Sequence, residues 1–187
     1  MKNYRKLYDN EIEILKRQMC SAADWNLIEV ADGFSTDYVR YARFSGNVRL
    51  GAFRKEFQMA GGMVTHSGLY YATLHNVTVG DDCCIENVKN YIANYVIGDG
   101  VFIENVDIIL TDGLSTFGNG TEVSVLNETG GREVMIFDRL TAQTAYVMAL
   151  YRHRPDLIAN LKKMIGTYVE SVKSSVGTIG RNAVIAD

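Results

Sequence analysis

The chain has 187 residues, of which 47% are hydrophobic and 22% charged, and its formal net charge is −3. This balance is typical of a globular protein with one sizeable core. It lacks the positive surplus that binds a phosphate backbone, which argues against nucleic acid as a partner. No apolar run approaches the roughly 18 residues that span a bilayer, and residues 1–11 lack the apolar core of a signal peptide. We therefore expect a cytoplasmic protein with no membrane partner.

The three cysteines fit a reducing compartment. Cys83 and Cys84 are adjacent in the sequence, and Cys20 is the third. An odd number with an adjacent pair is not a disulfide framework. Cys83 and Cys84 align with Val101 and Phe102 in the repeat described below, so we interpret these two as small apolar residues.

Residues 1–26 are predicted to form a helical cap. Asn10 followed by Glu13 resembles a capping box. Ile12, Leu15 and Met19 then fall on one helical face. A short second turn is expected to start at Ser21.

Residues 27–133 are predicted to form the rungs of a β-helix, because an 18-residue register repeats within them. Residues 74–91 align with 92–109, and seven of the 18 positions are identical. The identical pairs are Asn76/Asn94, Gly80/Gly98, Asp81/Asp99, Ile85/Ile103, Glu86/Glu104, Asn87/Asn105 and Val88/Val106. Eighteen residues equal three hexapeptides, and hexapeptide arrays are typical of a parallel β-helix.

The repeat predicts three columns of buried aliphatic side chains, one on each face of a triangular prism. The columns are Leu74 with Ile92 and Leu110, Val79 with Ile97, and Ile85 with Ile103. A further rung is predicted at 117–123, because Phe117-Gly118-Asn119-Gly120 matches Ile97-Gly98-Asp99-Gly100 and Val123 matches Ile103. Asparagines at equivalent positions are expected to form hydrogen-bonded ladders along the stack.

An antiparallel helical hairpin is predicted to be inserted at 134–174. Val134–Tyr151 is interpreted as the first helix, and Pro155 opens the second at its first turn, where proline is well accommodated. Ile179 and Ile185 are then six residues apart, with Gly180 after the first. The β-helix is therefore expected to resume at 175–187 and to be truncated there, the whole chain forming a single domain.

Two groups of residues carry a resemblance to known proteins. The Gly-Asp and Ile-Glu-Asn motifs of residues 80–87 and 98–105 resemble the hexapeptide-repeat superfamily. Residues 70–82, 92–100, 124–134 and 150–158 resemble the N-terminal part of a large bacterial family. Members of that family are described as similar to the bifunctional UDP-N-acetylglucosamine pyrophosphorylase/glucosamine-phosphate acetyltransferase. The resemblance implies a mainly β fold, a left-handed parallel β-helix with an N-terminal helical segment and an inserted helical hairpin.

The resemblance also implies a class of function. Members of the hexapeptide-repeat superfamily are often trimeric acyltransferases, so we expect a homotrimer that transfers an acyl group from acetyl-CoA or another acyl-CoA to a sugar or nucleotide-sugar. The pyrophosphorylase half is not expected, because the chain lacks a glycine-rich nucleotide-binding start. The alternative is a non-catalytic nucleotide-sugar-binding or trimeric assembly module of a longer protein. Fold alone does not decide between an enzyme and a binding module.

His75 is the candidate catalytic residue. Acyl transfer to a hydroxyl or amine needs a general base that works near neutral pH, and imidazole suits that role. His75 follows the inward-facing Leu74, so its side chain should point outward near a corner. The alternative is a surface or interface histidine with no chemical role.

The candidate substrate-binding residues are Asn127, Glu128, Arg132, Arg152 and His153. The first three belong to a polar loop with a Gly-Gly pair, which lets a ligand approach the backbone. Arginines beside a histidine could bind phosphate, or they could complement the end of a helix. No metal is expected, because His66, His75 and His153 are the only histidines and do not have zinc-ligand spacing.

Overall fold

The computed structural model describes residues 2–125 and 130–186. These residues form a mainly β structure with three α-helices, as predicted. The strands are β1 Tyr4–Lys6, β2 Ser21–Ala22, β3 Ile28–Ala31, β4 Val39–Arg40, β5 Arg43–Ser45, β6 Val48–Leu50, β7 Glu56–Gln58, β8 Val64–His66, β9 Gly68–Tyr70, β10 Thr73–Val79, β11 Cys84–Glu86, β12 Tyr91–Ile97, β13 Phe102–Glu104, β14 Ile108–Leu110, β15 Glu122–Ser124, β16 Glu133–Met135, β17 Gly177–Ile179 and β18 Val184–Ala186. The helices are α1 Asp9–Arg17, α2 Ala142–Leu150 and α3 Pro155–Val172.

The chain divides into two compact units. The first contains residues 1–112 and 176–187, and the second contains residues 113–175. The sequence predicts one domain with an insertion at 134–174, so the second unit begins earlier than expected. The reason is that β15 pairs with β16 in an antiparallel hairpin and not with the strands of the first unit.

The 18-residue repeat becomes strand pairing in the first unit. β10 lies parallel to β12 with Leu74 opposite Ile92 and Val79 opposite Ile97. β11 lies parallel to β13 with Ile85 opposite Ile103. All six of these side chains are buried, so the predicted register is confirmed for these two coils. Burial of one face fixes the register, because a slip of one residue would turn every aliphatic side chain outward.

The next coil differs from the prediction. Ile92 pairs with Ile109, and Leu110 lies opposite Ala93 and is exposed. The coil then continues after the insertion, with Ile179 opposite Ile97 and Ile185 opposite Ile103. The predicted rung at 117–123 is therefore wrong. The Gly-Asn-Gly sequence there forms a turn of the second unit, in which Asn119 accepts a hydrogen bond from the Asp138 backbone.

Residues with positive φ recur at three positions along the coils of the first unit, and these positions are called corners below. The corner columns are Tyr41, Tyr71, Asn87 and Asn105, then Gly46, Asn76 and Asn94, and then Asp82, Gly100 and Asn182. Asparagine, aspartate and glycine tolerate this conformation best. The predicted asparagine ladder forms at the second corner, where the Asn76 amide donates to Asn94 Oδ1 and Asn94 donates to the Thr111 carbonyl.

The N-terminal segment is less helical than predicted. β1 precedes α1 and pairs antiparallel with β3, and β2 follows α1. The helix begins at Asp9, where the Glu11 carboxylate accepts a hydrogen bond from the Tyr8 backbone N–H at 2.8 Å. The expected pair of Asn10 and Glu13 does not cap the helix, because both residues lie inside it and Glu13 pairs with Lys16.

The second unit has its own small core. Val134 of β16, Met148 and Ala149 of α2, and Ile165 and Val169 of α3 are buried together. Thr141 caps α2 by accepting a hydrogen bond from the Thr144 backbone. Pro155 starts α3, as predicted. The helix predicted at 134–151 is shorter than expected, because residues 134 and 135 belong to β16 and α2 begins only at Ala142. In the described residues, no helix combines the length and hydropathy that crossing a bilayer requires.

Candidate functional site

His75 lies on the outer face of the first unit, on β10. Leu74 points into the core, and the alternation of a strand turns its neighbours outward. Ser45 of β5 and Ala93 of β12 lie beside His75 in register on the neighbouring coils. The outward position predicted for His75 is confirmed, since its side chain is exposed.

Two hydrogen bonds fix the orientation and the tautomer of the His75 ring. Nδ1 lies 2.8 Å from Ser45 Oγ, and Nε2 lies 3.0 Å from the Asn76 amide nitrogen. Asn76 Oδ1 accepts the Asn47 backbone N–H, so the Asn76 NH₂ group faces His75 as a donor. Nε2 of the neutral ring must therefore be the acceptor, and Nδ1 carries the proton that Ser45 accepts.

A groove of about 340 Å³ runs beside the imidazole. The residues that line it are Ser45, Thr73, His75, Tyr91 and Ala93. All five lie on adjacent coils of the same face, in two neighbouring columns. Arg43 lies next to Thr73 in register and is exposed. The volume falls within the usual range for a small-molecule site.

This arrangement suits proton abstraction. The His75 side chain is exposed, and among the described residues Asn76 is the hydrogen-bond partner of Nε2. A hydroxyl or amine in the groove could donate to Nε2 in place of that amide. Ser45 would hold the ring in position, since a partner on the far nitrogen fixes both tautomer and orientation.

A second group of titratable side chains lies on another face. Glu86 of β11 and Glu104 of β13 are opposite each other in register, and both are half-buried. Burial and, to a lesser degree, the negative charge of Glu104 raise the pKa of the Glu86 carboxyl. No cation faces the pair among the ion pairs of the described residues. The pair is a site of local repulsion and not a formed metal centre.

The three cysteines are buried and unpaired. Burial raises the pKa of Cys20, that of Cys83 to about 11 and that of Cys84 to about 12. A thiolate is the nucleophilic form of cysteine, so these thiols are structural. Within residues 2–125 and 130–186, no group of three or more histidine, cysteine or carboxylate side chains could hold a metal ion.

Three of the predicted substrate-binding residues, Arg132, Arg152 and His153, lie in the second unit. Arg132 is exposed, and the Arg152 guanidinium donates to the Glu133 carbonyl and lies 3.6 Å from its carboxylate. His153 stacks on Tyr151 at 5.6 Å between ring centroids. Asn127 and Glu128 lie outside the described residues. The roles proposed for these five residues stay predictions, and Glu133 already takes part of the hydrogen-bonding capacity of Arg152.

Sequence reasoning missed Ser45 as the partner of His75. The two residues are 30 positions apart, not 18, because an antiparallel hairpin of β7 and β8 lengthens the intervening coil. The available signal was the match of Arg43-Phe44-Ser45 to Thr73-Leu74-His75, in which the middle residue is buried in both strands.

The whole stacked-coil region falls within one family of proteins. A family model described as a domain of unknown function (DUF4954) matches residues 4–187, so the chain belongs to that family. The chain is 28% identical over 193 residues to an uncharacterized protein of Treponema pallidum (strain Nichols). That alignment covers 97% of this chain and 26% of the relative, so the chain spans about a quarter of the relative's length. No solved structure matches the chain.

Proposed function

We propose that this chain carries an acyl-transfer site, with His75 as the general base. The observation that carries the proposal is the exposed imidazole, which lines the groove and has its Nδ1 hydrogen-bonded to Ser45. Imidazole is the side chain best suited to move a proton near neutral pH. The acceptor would be a sugar or nucleotide-sugar, as the resemblance to hexapeptide-repeat acyltransferases implies.

The chemistry of such a site is a single acyl transfer. His75 Nε2 takes the proton of the acceptor hydroxyl or amine as the oxygen or nitrogen attacks the thioester carbonyl. The tetrahedral intermediate then releases the thiolate of CoA, which takes the proton back from the imidazolium. Arg43, exposed beside Thr73 in the same column, would attract the phosphates of acetyl-CoA or another acyl-CoA.

The proposal extends to the architecture. We propose that the first unit is a left-handed parallel β-helix, supported by the three corner columns of residues with positive φ and by the resemblance. A homotrimer and a cytoplasmic location belong to the same proposal, and the resemblance supports the trimer. The acyl-transfer proposal concerns the His75 groove alone.

Binding and turnover test the site directly. We expect acetyl-CoA at a hundred times its Kd to stabilise the chain by about 2.7 kcal/mol, measured as a rise of several degrees in Tm. CoA release is then followed with a thiol reagent over a panel of amino sugars and nucleotide-sugars. His75→Asn should lower kcat about 10²- to 10⁴-fold, and Ser45→Ala should lower kcat by less.

The controls separate chemistry from folding. His75 and Ser45 lie on the surface of the coil. Both variants should therefore melt close to the wild-type Tm, and their free energies of unfolding should differ from that of the wild type by no more than about 0.5 kcal/mol. Thr178→Ala, an exposed hydroxyl deletion on β17, should keep full turnover. Undiminished turnover in His75→Asn, or no response to acetyl-CoA by the wild-type chain, would contradict the proposal.

A second candidate is an assembly module without catalysis. The observation that favours it is a pair of exposed apolar side chains on β14, namely Ile108 and Leu110, each more than 40% exposed. Such residues are more typical of an interface than of a free surface. An assembly module would lose its oligomeric state on Ile108→Lys, measured by sedimentation, and would show no turnover to lose.

A further inference from the structure

One corner column of the first unit contains bulky side chains where the other coils have asparagine. The backbone N–H groups of Tyr41, Tyr71, Asn87 and Asn105 each donate to a carbonyl of the preceding coil in the same pattern, so the four residues occupy one column. Met19 stands before Tyr41 in this column, since Tyr41 N–H donates to the Gln18 carbonyl.

The bulky residues of this corner are strained and exposed. Met19, Tyr41 and Tyr71 have φ of 63°, 53° and 54°, and their side chains are 66%, 46% and 54% exposed. A left-handed conformation is an outlier for a bulky residue. Asparagine would be the better residue for the fold, as Asn87 and Asn105 illustrate. Strain of this kind is concentrated at ligand sites.

The two tyrosines form a flat aromatic platform. Their rings stack with centroids 4.5 Å apart and planes 5° from parallel. Tyr71 covers one face of the Tyr41 ring, so the opposite face of Tyr41 is turned toward Met19. A groove of about 290 Å³ opens there, and its lining residues are Arg17, Gln18, Met19, Arg40 and Tyr41.

Two cations complete the groove. Arg17 and Arg40 are exposed, and neither has a carboxylate partner within 4.0 Å among the described residues. A guanidinium binds phosphate oxygens in a bidentate manner. An aromatic face stacks on any nucleobase. A flat ring and an anionic group are therefore recognised side by side in this groove.

We propose that the Tyr41 groove binds a free nucleoside diphosphate, with the base stacked on Tyr41 and the phosphates on Arg17 and Arg40. Met19, on the other side of the groove, would cover the second face of the base, because its flexible thioether adapts to aromatic surfaces. This site is independent of the His75 chemistry and does not require the chain to be an acyltransferase.

Calorimetric titration with ADP and UDP tests the site on the whole chain. Tyr41→Asn should weaken binding about 5- to 150-fold, the range for loss of one stacked base. This variant keeps a residue that favours positive φ, so it should fold with a Tm no lower than that of the wild type. Arg17→Ala and Arg40→Ala should each weaken binding and reduce its dependence on salt. Arg181→Ala, an exposed arginine at another corner, should bind as the wild type does.

Two further ligands separate the parts of the proposal. Inorganic diphosphate should bind more weakly than ADP and UDP, since it cannot stack. Equal affinity for diphosphate, or equal affinity of the arginine variants for ADP, would overturn the proposal. Absence of binding to the wild-type chain at millimolar ADP and UDP would overturn it as well. Tighter binding of a single-stranded oligonucleotide than of ADP or UDP would also overturn it. None of these outcomes depends on turnover at His75.

Discussion

Individual glycines decide how closely the coils approach at the third corner. Gly51, Gly80, Gly98 and Gly180 follow one another along the stack, and each of the first three lies against the backbone of the next coil. A Cβ on Gly80 would be 2.6 Å from the Gly98 carbonyl carbon and 2.7 Å from the Asp99 nitrogen. Backbone atoms cannot move aside as a flexible side chain can, so a side chain at this position forces the two coils apart.

We therefore predict that Gly80→Ala destabilises the first unit. The coils must separate to admit the methyl group, and overpacking of this kind costs about 1–3 kcal/mol. Urea unfolding, followed by the emission of the single tryptophan, Trp25, measures the loss. Gly180→Ala is the matched control, because no atom lies within 4 Å of its added Cβ. Equal stabilities of the two variants would contradict the argument from close approach.

At the scale of the element, the in-register pairing of identical residues has a cost where those residues are charged. The repeat that aligns Ile85 with Ile103 also places Glu86 opposite Glu104. The raised pKa of Glu86 means that the folded chain holds this proton to higher pH than the unfolded chain does. The free energy of unfolding should therefore fall as the pH rises from below the unfolded pKa of Glu, about 4.3, through the folded pKa.

We predict that Glu86→Gln stabilises the protein at pH 7 and has no such effect at pH 3.5, where both folded and unfolded chains are protonated. Like charges on neighbouring strands cost about 0.2–1 kcal/mol, so a gain in that range is expected from urea unfolding at the two pH values. Glu56→Gln, an exposed glutamate on β7, is the control and should show neither change. A gain of the same size at both pH values would contradict this explanation.

The elements also show how far the sequence predicts the structure. The pairs Leu74/Ile92 and Ile85/Ile103 were predictable, because a continuous repeat aligns buried aliphatic residues at fixed spacing. The third coil was not, since its segments at 108–110 and 177–186 are separated by the second unit. Local sequence favoured the false rung at 117–123, because a Gly-Asn-Gly turn looks the same in a corner and in a hairpin.

The candidate site was predictable to the same extent. His75 could be assigned outward from its position after Leu74, which is a local property of the strand. Its partner Ser45 depends on the length of the coil that contains β7 and β8, and repeat spacing does not report that length. The tyrosine column needed the backbone angles, because positive φ at Tyr41 and Tyr71 is not expected from a residue of that type.

At the scale of the whole molecule, the first unit is discontinuous in sequence and continuous in strand pairing. β14 and β17 both pair with β12, with Leu110 opposite Ala93 and Gly177 opposite Tyr95. Only one position of β12, Asn94, separates those two partners. The chain therefore leaves the first unit and returns to it at the same corner of the coil. Thr111 is the residue opposite Asn94 at that corner.

This pairing predicts that residues 112–176 can be removed without loss of the first unit. Joining Thr111 to Gly177 restores the spacing of Ala93, Asn94 and Tyr95, and Thr111→Asn supplies a residue that tolerates the positive φ of this corner. We expect the shortened chain to unfold cooperatively in urea, with the Trp25 emission of the wild type and a circular dichroism spectrum that has lost the signal of α2 and α3. The control is a chain in which 112–176 is replaced by a long glycine-serine linker. Both chains should fold, because every strand pair of the stack lies within residues 2–112 and 176–186.

The isolated segment 113–175 should be only marginally stable, since so small a core rarely supplies more than about 3–5 kcal/mol. Failure of both shortened chains to fold would contradict the division into two units.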